Sequence, residues 1–588
     1  MIDPTRIIPL LVLIPLLGGI GLLMLPADGH KTIRMAGLFW SLATLAVAVT
    51  VACLACQPIS PGATATWLDS GDLFFQSWIP WVEGFGLRFG FGLDAISLWL
   101  IVLTTSLVPL VILGSFSAVN DRLKEYHLWL LILEAAMIGT FVATDLVFFY
   151  ICFEFTLVPL FFLIGIFGST QRLKAAKVFF LYTFTGSMLT FAGILYVAWF
   201  NASLTGSWDF SIAQLVETAQ LMSRPQQTWV LLALLAGFAV KVPLFPLHTW
   251  LPLAHTEAPT GGSVILAGVL LKLGTYGLLR FALPMTPQAT LACAPYIAIF
   301  AIIGILYTAV ICWVQKDVKK LIAYSSVSHL GFCVLGMFSL NVIGTGASVM
   351  YMINHGLSTG ALFLCVGMIY ERFHTREMSQ MGGLARVMPV WAFFMVFFCL
   401  ASVGLPGLNG FVGEFLVLLG AFQADGVLGH GAGPMYYAAF AGLGMILGAI
   451  YILYMVGEVV FGPVLIPHHQ DNHSHGDDPK RPSAQEPKTT DLNLREIFTL
   501  APLAVGCLLL GLYPTPLLET LEPPVAKLLG PTQIILASRQ DAPHGADQTQ
   551  TTLQKNHRAS LHTVSKHGLN AAAPPHIAWN ADDLETTQ

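Results

Sequence analysis

Apolar residues fill this chain in continuous blocks of about 20, divided by short polar joints. The block IIPLLVLIPLLGGIGLLML, residues 7–25, shows the type: it has neither the alternation of a half-buried strand nor the narrow apolar stripe of a soluble amphipathic helix. As a helix, a block of that length crosses the roughly 30 Å of a bilayer's hydrocarbon. Inside hydrocarbon every backbone N–H and C=O must be paired, which leaves helices and closed barrels. Continuous blocks select helices, so the predicted fold class is an all-α polytopic membrane protein. Fourteen spans are predicted: 7–25, 33–55, 95–117, 126–143, 145–167, 174–200, 229–254, 260–282, 293–314, 320–338, 343–370, 389–421, 434–462 and 498–515. Of 588 residues 55% are hydrophobic and 10% charged, against about 25% charged in a soluble protein. The first block lacks a basic leader and a small-residue cleavage site, so it is kept as a span.

An even number of spans puts both termini on one side. Basic residues say which. Seventeen lysines and arginines fall at odd-numbered joints, and only Arg88, Arg224 and Arg280 fall at even ones. Odd joints are therefore expected to face the cytoplasm and both termini the opposite side. Lys241 and Lys272 fall in no joint at all.

Three stretches depart from plain spans and joints. Residues 84–94, GFGLRFGFGLD, alternate glycine with larger residues and predict an extended or hairpin segment on the outer surface. Their GxG does not join a strand to a helix and carries no dinucleotide reading. The joint 463–497 is polar and holds His468, His469, His473 and His475 beside Asp471, Asp477 and Asp478, a composition suited to weak metal binding but more simply to a solvated, flexible loop. The tail 516–588 is polar, expected to be largely disordered, with no further span and no long amphipathic helix. The nine cysteines form no disulfide, zinc or iron–sulfur spacing. Cys53 and Cys56 make a CxxC at the end of an apolar helix and read as two small buried residues. The net charge of −5 is dispersed and marks no nucleic-acid surface.

Candidate chemistry lies in charges inside the spans. A charge at the bilayer centre costs roughly 2.5–3.5 kcal/mol on insertion scales. Glu154 lies mid-span in YICFEFTLVPL, Lys241 mid-span in the seventh span, Lys272 in VLLKLGTYG, and Glu414 just after LPGLNGFVG. Glu134, His248, His329 and His355 also fall within spans. Any one of them is compatible with a satisfied structural group, but the four mid-span charges together are not. Carboxylates, amines and imidazoles bind and release protons. A lysine near a glutamate is a tunable proton site, because its affinity depends on whether its partner is close and charged. The group Glu154, Lys241, Lys272, His329, His355 and Glu414 predicts a polar row across the bundle, with Ser325, Ser328, Ser358 and Thr359 placed to hold connecting waters.

Two spans carry helix breakers at matching places. Pro243 and Pro246 remove amide donors just after Lys241, and Pro406 stands among glycines in SVGLPGLNGFVGEF, just before Glu414. The fourth span starts 117 residues before Pro243 and the ninth 113 residues before Pro406. Paired interruptions at corresponding positions mark inverted-repeat transporters and their ion sites. The predicted organisation is a three-helix region 1–125, five-helix repeats over 126–282 and 293–462, the polar joint 463–497, a last span 498–515 and the tail 516–588. His248, just beyond the first break, and Glu134 are possible relays.

Several stretches together resemble a known family. KVPLFPLHTWLPLAHTEAPTGGSVILAGVLLKLGTYGLLRF (241–281), KKLIAYSSVSHLGF (319–332) and DLNLREIFTLAPLAVGCLLLGLYPTPLL (491–518) are similar to the antiporter-like membrane subunits of proton-pumping NADH:quinone oxidoreductase, respiratory complex I. The resemblance covers about residues 1–520. Within that family Glu414 resembles the chain M, or subunit-four, branch; chains L and N carry lysine there. The resemblance implies a proton channel in a bacterial inner membrane, working as one subunit of a translocating enzyme. NADH, FMN, iron–sulfur clusters and quinone would belong to partner subunits, with no cofactor, metal or redox centre on this chain. Implied partners are the other membrane-arm subunits, especially two other antiporter-like chains, with lipid, protons and water. It further implies that Glu154 and Lys241 form a coupling pair, Lys272 takes the proton, His329 and His355 relay it, and Glu414 is the terminal site. The alternative is a subunit of a multisubunit cation/proton antiporter or membrane-bound hydrogenase of the same fold.

Overall fold

The computed structural model describes residues 4–59, 65–465 and 490–540. Among these, twelve helices are long and apolar enough to cross a membrane. In chain order the helices are α1 (Pro4–Leu23), α2 (His30–Ala55), α3 (Ala95–Gly114), α4 (Leu123–Val142), α5 (Leu146–Phe155), α6 (Leu157–Phe167), α7 (Arg172–Thr205), α8 (Ile212–Ala219), α9 (Arg224–Lys241) and α10 (Trp250–Glu257). They continue with α11 (Thr260–Met285), α12 (Pro287–Trp313), α13 (Val318–Phe338), α14 (Val342–Phe373), α15 (Pro389–Val403), α16 (Asn409–Phe422), α17 (Gly433–Val456), α18 (Leu494–Leu512) and α19 (Thr515–Gln540). The chain is a multi-pass helical membrane protein. The two expected spans missing from the dozen are the two that carry breakers, each divided into a pair of shorter helices: α9 with α10, and α15 with α16. A count of fourteen crossings holds only if each divided pair is taken as one.

Polar residues at the joints start the helices. Asp94 accepts from Ser97 N at 2.9 Å, Asp145 from Val147 N at 2.9 Å, Asp317 from Lys320 N at 3.0 Å and Asn341 from Gly344 N at 2.8 Å. Each cap satisfies an amide that the first helical turn leaves free. The membrane-crossing stretches of α11 and α14 lie inside the bundle, with Ile343 and Tyr370 exposed at the ends of α14, and that of α13 nearly so. Helices such as α7 and α12 turn Leu181, Leu189, Ile299 and Phe300 outward, as helices facing lipid do. The enclosed helices carry Lys272, His329 and His355.

A hairpin precedes α3. Strand β1 (Phe74–Val82) pairs antiparallel with β2 (Leu87–Leu93), Trp78 opposite Gly90 and Ile79 opposite Phe89. The glycine alternation at 84–94 supplies β2 and the turn. β2 lies against α4 and α5, where a Cβ at Gly92 would stand 2.8 Å from Thr144 Cγ2.

Two expectations are corrected. Cys53 and Cys56 are exposed rather than buried: Cys53 lies on the outward side of the last turn of α2 and Cys56 caps the helix end. The tail begins not as disordered chain but as α19. Leu517, Leu521, Val525 and Leu529 recur every fourth residue and are all buried, an apolar stripe that prolines at 523, 524 and 531 obscure in the sequence. Trp99 Nε1 donates to Thr520 Oγ1 at 2.9 Å, Gln533 Nε2 donates to the Leu340 carbonyl at 2.6 Å, and Lys527 pairs with Asp72. Residues to Ile534 form one compact unit; of the second, the described part is the end of α19, where Ser538 Oγ donates to the Ile535 carbonyl at 2.8 Å. The His468–Asp478 cluster and the tail beyond 540 lie outside the described residues.

α18 is fastened by an ion pair whose carboxylate is buried and whose guanidinium is partly exposed: Arg372 donates to Glu496 through both terminal nitrogens, at 3.0 and 2.7 Å. Arg372→Ala strands the Glu496 carboxylate in the interior. It should lower stability by about 3–5 kcal/mol, read as a fall in thermal unfolding temperature in detergent. Leu521→Asp should lift α19 from its seat, and hydrogen exchange across 517–532 should rise roughly tenfold or more.

Candidate functional site

The interior polar residues gather into two groups. The first sits at a kink. Pro159 has no N–H for the Phe155 carbonyl, and the fifth span accordingly bends at Thr156, between α5 and α6. Lys241, the last residue of α9, reaches this kink. Its Nζ donates to Thr156 Oγ1 at 3.0 Å and to the Phe153 carbonyl at 3.3 Å, and it lies 4.2 Å from the centre of the Phe153 ring. Glu154 is close by but makes no ion pair with Lys241 within 4.0 Å. Successive helical residues turn by about 100°, so Phe153 and Thr156 share the face toward Lys241 while Glu154 points aside, half-buried, its Oε1 without a hydrogen-bond partner. The expected pair is thus two neighbouring charges at one kink rather than a direct contact. In this group Thr156 is the residue that sequence reading missed.

Beyond Lys241 the chain is not helical until Trp250. The freed backbone groups are taken up locally: Leu244 N donates to the Ala239 carbonyl at 2.9 Å and the Trp250 indole to the Val240 carbonyl at 3.0 Å. Pro243 and Pro246 both lie in this interruption. His248 also lies there, packed between the rings of Phe245 and Tyr307, with Nδ1 unpartnered. It touches neither group. Glu134 in α4 is fully buried with neither oxygen partnered. It too stands apart.

The second group is a row of two hydrogen-bonded segments with facing imidazole rings. Lys272 in α11 is fully buried and flanked by two π-helical turns, Leu266–Leu270 and Leu278–Ala282. Such widened turns recur at functional sites. Its Nζ donates to the Ala267 carbonyl of the first turn and lies 2.6 Å from His355 Nδ1. The rings of His355 and His329 stand 5.7 Å apart. His329 Nδ1 lies 2.6 Å from the Tyr351 hydroxyl, and that hydroxyl donates to Glu414 Oε1 at 2.5 Å. The direct separation from His329 Nδ1 to Glu414 Oε1 is 3.5 Å. Ser402 Oγ lies 3.1 Å from His329 Nε2. Glu414 follows the second interruption, where α15 ends at Val403, Gly404 (φ +81) and Gly407 (φ +92) turn the chain, and Pro406 lies between them.

The structure therefore joins Lys272, His355, His329 and Glu414, and adds Tyr351 and Ser402. Tyr351 had a legible signal: it precedes His355 by four residues, one turn along the same helix face. Of the four hydroxyls expected to hold water, Ser325, Ser328 and Ser358 donate to the carbonyls of Ile322, Ile305 and Asn354, at 2.8, 3.1 and 3.0 Å. Only the Thr359 hydroxyl is left without a partner. Between the two groups lie aromatic rings: Phe153 packs on Phe238 at 5.6 Å, and Phe149 on Phe281 at 4.4 Å and Tyr276 at 6.4 Å. α11 meets the end of α9 at Gly274, where a Cβ would stand 2.9 Å from the Phe238 carbonyl. Arg280, counted above among the joints, lies within α11 instead and pairs with Asp94 at 2.6 Å. Lysine, imidazole, phenol and carboxylate in that order can pass a proton. An ammonium offers donors only and cannot ligate a metal cation.

Residues 143–438 match the family described as NADH:quinone oxidoreductase/Mrp antiporter, TM. The chain is 40% identical over 524 residues to NADH-ubiquinone oxidoreductase chain 4 of Marchantia polymorpha, covering 88% of this chain and 96% of that one. It is 44% identical over 451 residues to NADH-quinone oxidoreductase subunit M of Rhodobacter capsulatus, covering 76% and 82%. Among solved structures, it superposes on a chain of the respiratory complex I from Thermus thermophilus with bound NADH at a TM-score of 0.74 and 29% identity, covering 89% of this chain and 99% of the other. The chain belongs to this family of antiporter-like membrane subunits, in the branch of subunit M and chain 4 of NADH:quinone oxidoreductase.

Proposed function

We propose that this chain carries protons across the membrane as a subunit of an NADH:quinone oxidoreductase, driven by redox chemistry in partner subunits. The observation that carries the reading is the buried row Lys272, His355, His329 and Glu414 between α11, α13, α14 and α16, hydrogen-bonded from Lys272 to His355 and from His329 through Tyr351 to Glu414, with the two imidazole rings 5.7 Å apart between them. In this reading Glu154 and Lys241 act as a coupling pair at the Thr156 kink. Their separation is the variable: motion of α9 at its interruption changes how strongly the carboxylate holds the ammonium. Lys272 receives the proton, His355 and His329 relay it, and Glu414 is the terminal site. The stretches 126–282 and 293–462 act as matching units, each interrupted beside a buried charge. Glu134 and His248, which touch neither group, serve at most as side relays.

The partners in this reading are the other membrane-arm subunits, among them two further antiporter-like chains. The redox centres belong to subunits outside this chain. Odd-numbered joints face the cytoplasm of a bacterial cell and both termini lie outside. The names of the Marchantia and Rhodobacter relatives favour this reading over a cation/proton antiporter.

Glu154→Ala, Lys241→Ala and Lys272→Met, each in the assembled complex reconstituted into vesicles, should slow proton uptake on NADH addition by roughly tenfold or more while assembly stays at the native level. Native pumping in all three would sink the proposal. Orientation is checked separately: a cysteine placed at Lys316 should resist a membrane-impermeant maleimide added outside intact cells, and one at Arg88 should react. The reverse pattern would invert the topology.

A further inference from the structure

One step of the relay reading is the crossing of a proton from His329 to Glu414. Their atoms stand 3.5 Å apart, at the outer edge of hydrogen bonding. The Tyr351 hydroxyl lies 2.6 Å from the one and 2.5 Å from the other. All three side chains are buried. We propose that Tyr351 is the proton-transfer bridge between His329 and Glu414, and that Glu414 passes the proton on through its other oxygen at the Gly404 turn. This rests on the relay reading above.

The bond directions make the step explicit. Tyr351 donates its one O–H to Glu414, so its oxygen is free to accept from His329 Nδ1–H, while Nε2 faces the Ser402 hydroxyl. When His329 is charged, its Nδ1 proton moves to the phenol oxygen as the phenol proton moves to Glu414 Oε1. The N–H and O–H bonds that break are replaced by an O–H on Tyr351 and an O–H on Glu414. An imidazolium and a carboxylate become an imidazole and a carboxylic acid, and tyrosine ends neutral without ever being tyrosinate. Afterwards Tyr351 donates to His329 and accepts from Glu414. A second proton cannot follow until the acid gives up its own and the phenol O–H turns back, so the bridge passes one proton per reset.

The outlet is Glu414 Oε2. It is buried and has no partner, and a Cβ at Gly404 would stand 2.6 Å from it. Gly404 thus leaves the free oxygen uncovered, and its φ of +81 is one that side-chain-bearing residues rarely adopt. Asn354 Oδ1 and Asn409 Oδ1 are also buried acceptors without partners, on residues whose amides bridge α14 to the start of α16. Each of these three acceptors is one that a water carrying the proton onward would satisfy.

The test uses the whole complex in vesicles, with Tyr351→Phe and Glu414→Gln compared for proton uptake. Infrared difference spectra follow the carboxylic C=O band that Glu414→Gln removes. Tyr351→Phe should assemble normally, slow uptake about three- to tenfold and shift that band to higher wavenumber, because the acid loses its phenol partner. A moved band with uptake within twofold of native would make Tyr351 a positioning residue and overturn the bridge. An unmoved band would also overturn it. Native uptake in Glu414→Gln would overturn the relay reading and the bridge with it. Should Tyr351→Phe assemble poorly, a difluorinated tyrosine at 351 keeps the ring and hydroxyl but alters proton affinity. It should change the pH profile of uptake, and an unchanged profile would overturn the bridge.

Discussion

An ammonium group enclosed in a helix bundle has to be held by the protein, since neither lipid nor bulk water can solvate it. Lys272 is such a group, and the interior is arranged around it. A π-helical turn brings the Ala267 carbonyl to its Nζ, and α14 brings His355 Nδ1 to the other side. Both α11 and α14 are consequently withdrawn from the periphery. Other helices enclose them, and α13 and α16 complete the polar line with His329 and Glu414.

The same constraint explains the interruptions. Non-helical backbone is tolerated at membrane depth only where protein or water satisfies it. At the first interruption the Trp250 indole and the Leu244 amide take up freed carbonyls. At the second, Asn354 and Asn409 exchange amide-to-carbonyl bonds, and two glycines with positive φ turn the chain. Each interruption lies beside a charge, Lys241 in one case and Glu414 in the other. Backbone freed from regular pairing there is backbone that can move or accept a proton without breaking a helix elsewhere.

The two polar groups differ in how they are held. Lys272 to Glu414 is a row of short hydrogen bonds with one wider step, between the His355 and His329 rings. Lys241 has a hydroxyl, a carbonyl and an aromatic face, with Glu154 beside it but not bonded. Phenylalanines pack between the groups. A line of contacts suits transfer, while an unbonded pair of opposite charges suits a control element, because its energy changes steeply with distance where water is excluded.

Hydropathy in the sequence determined the helical membrane class, and the cost of mid-span charge identified Glu154, Lys241, Lys272, His329, His355 and Glu414. Proline and glycine chemistry located both interruptions. These are properties of single residues or short stretches, so they can be read in one dimension. The tertiary structure alone decided which charges meet. Whether Glu154 touches Lys241 depends on 100° of rotation about α5, and on a kink set by Pro159 five residues later. Tyr351 enters the site because α14 presents two successive turns to His329, and Ser402 because α15 ends beside it. α19 became legible only once it had a surface to lie on, since its prolines mask an apolar stripe that burial makes plain. Composition and spacing record what each residue prefers; which partner it finds is settled by packing between segments far apart in the chain.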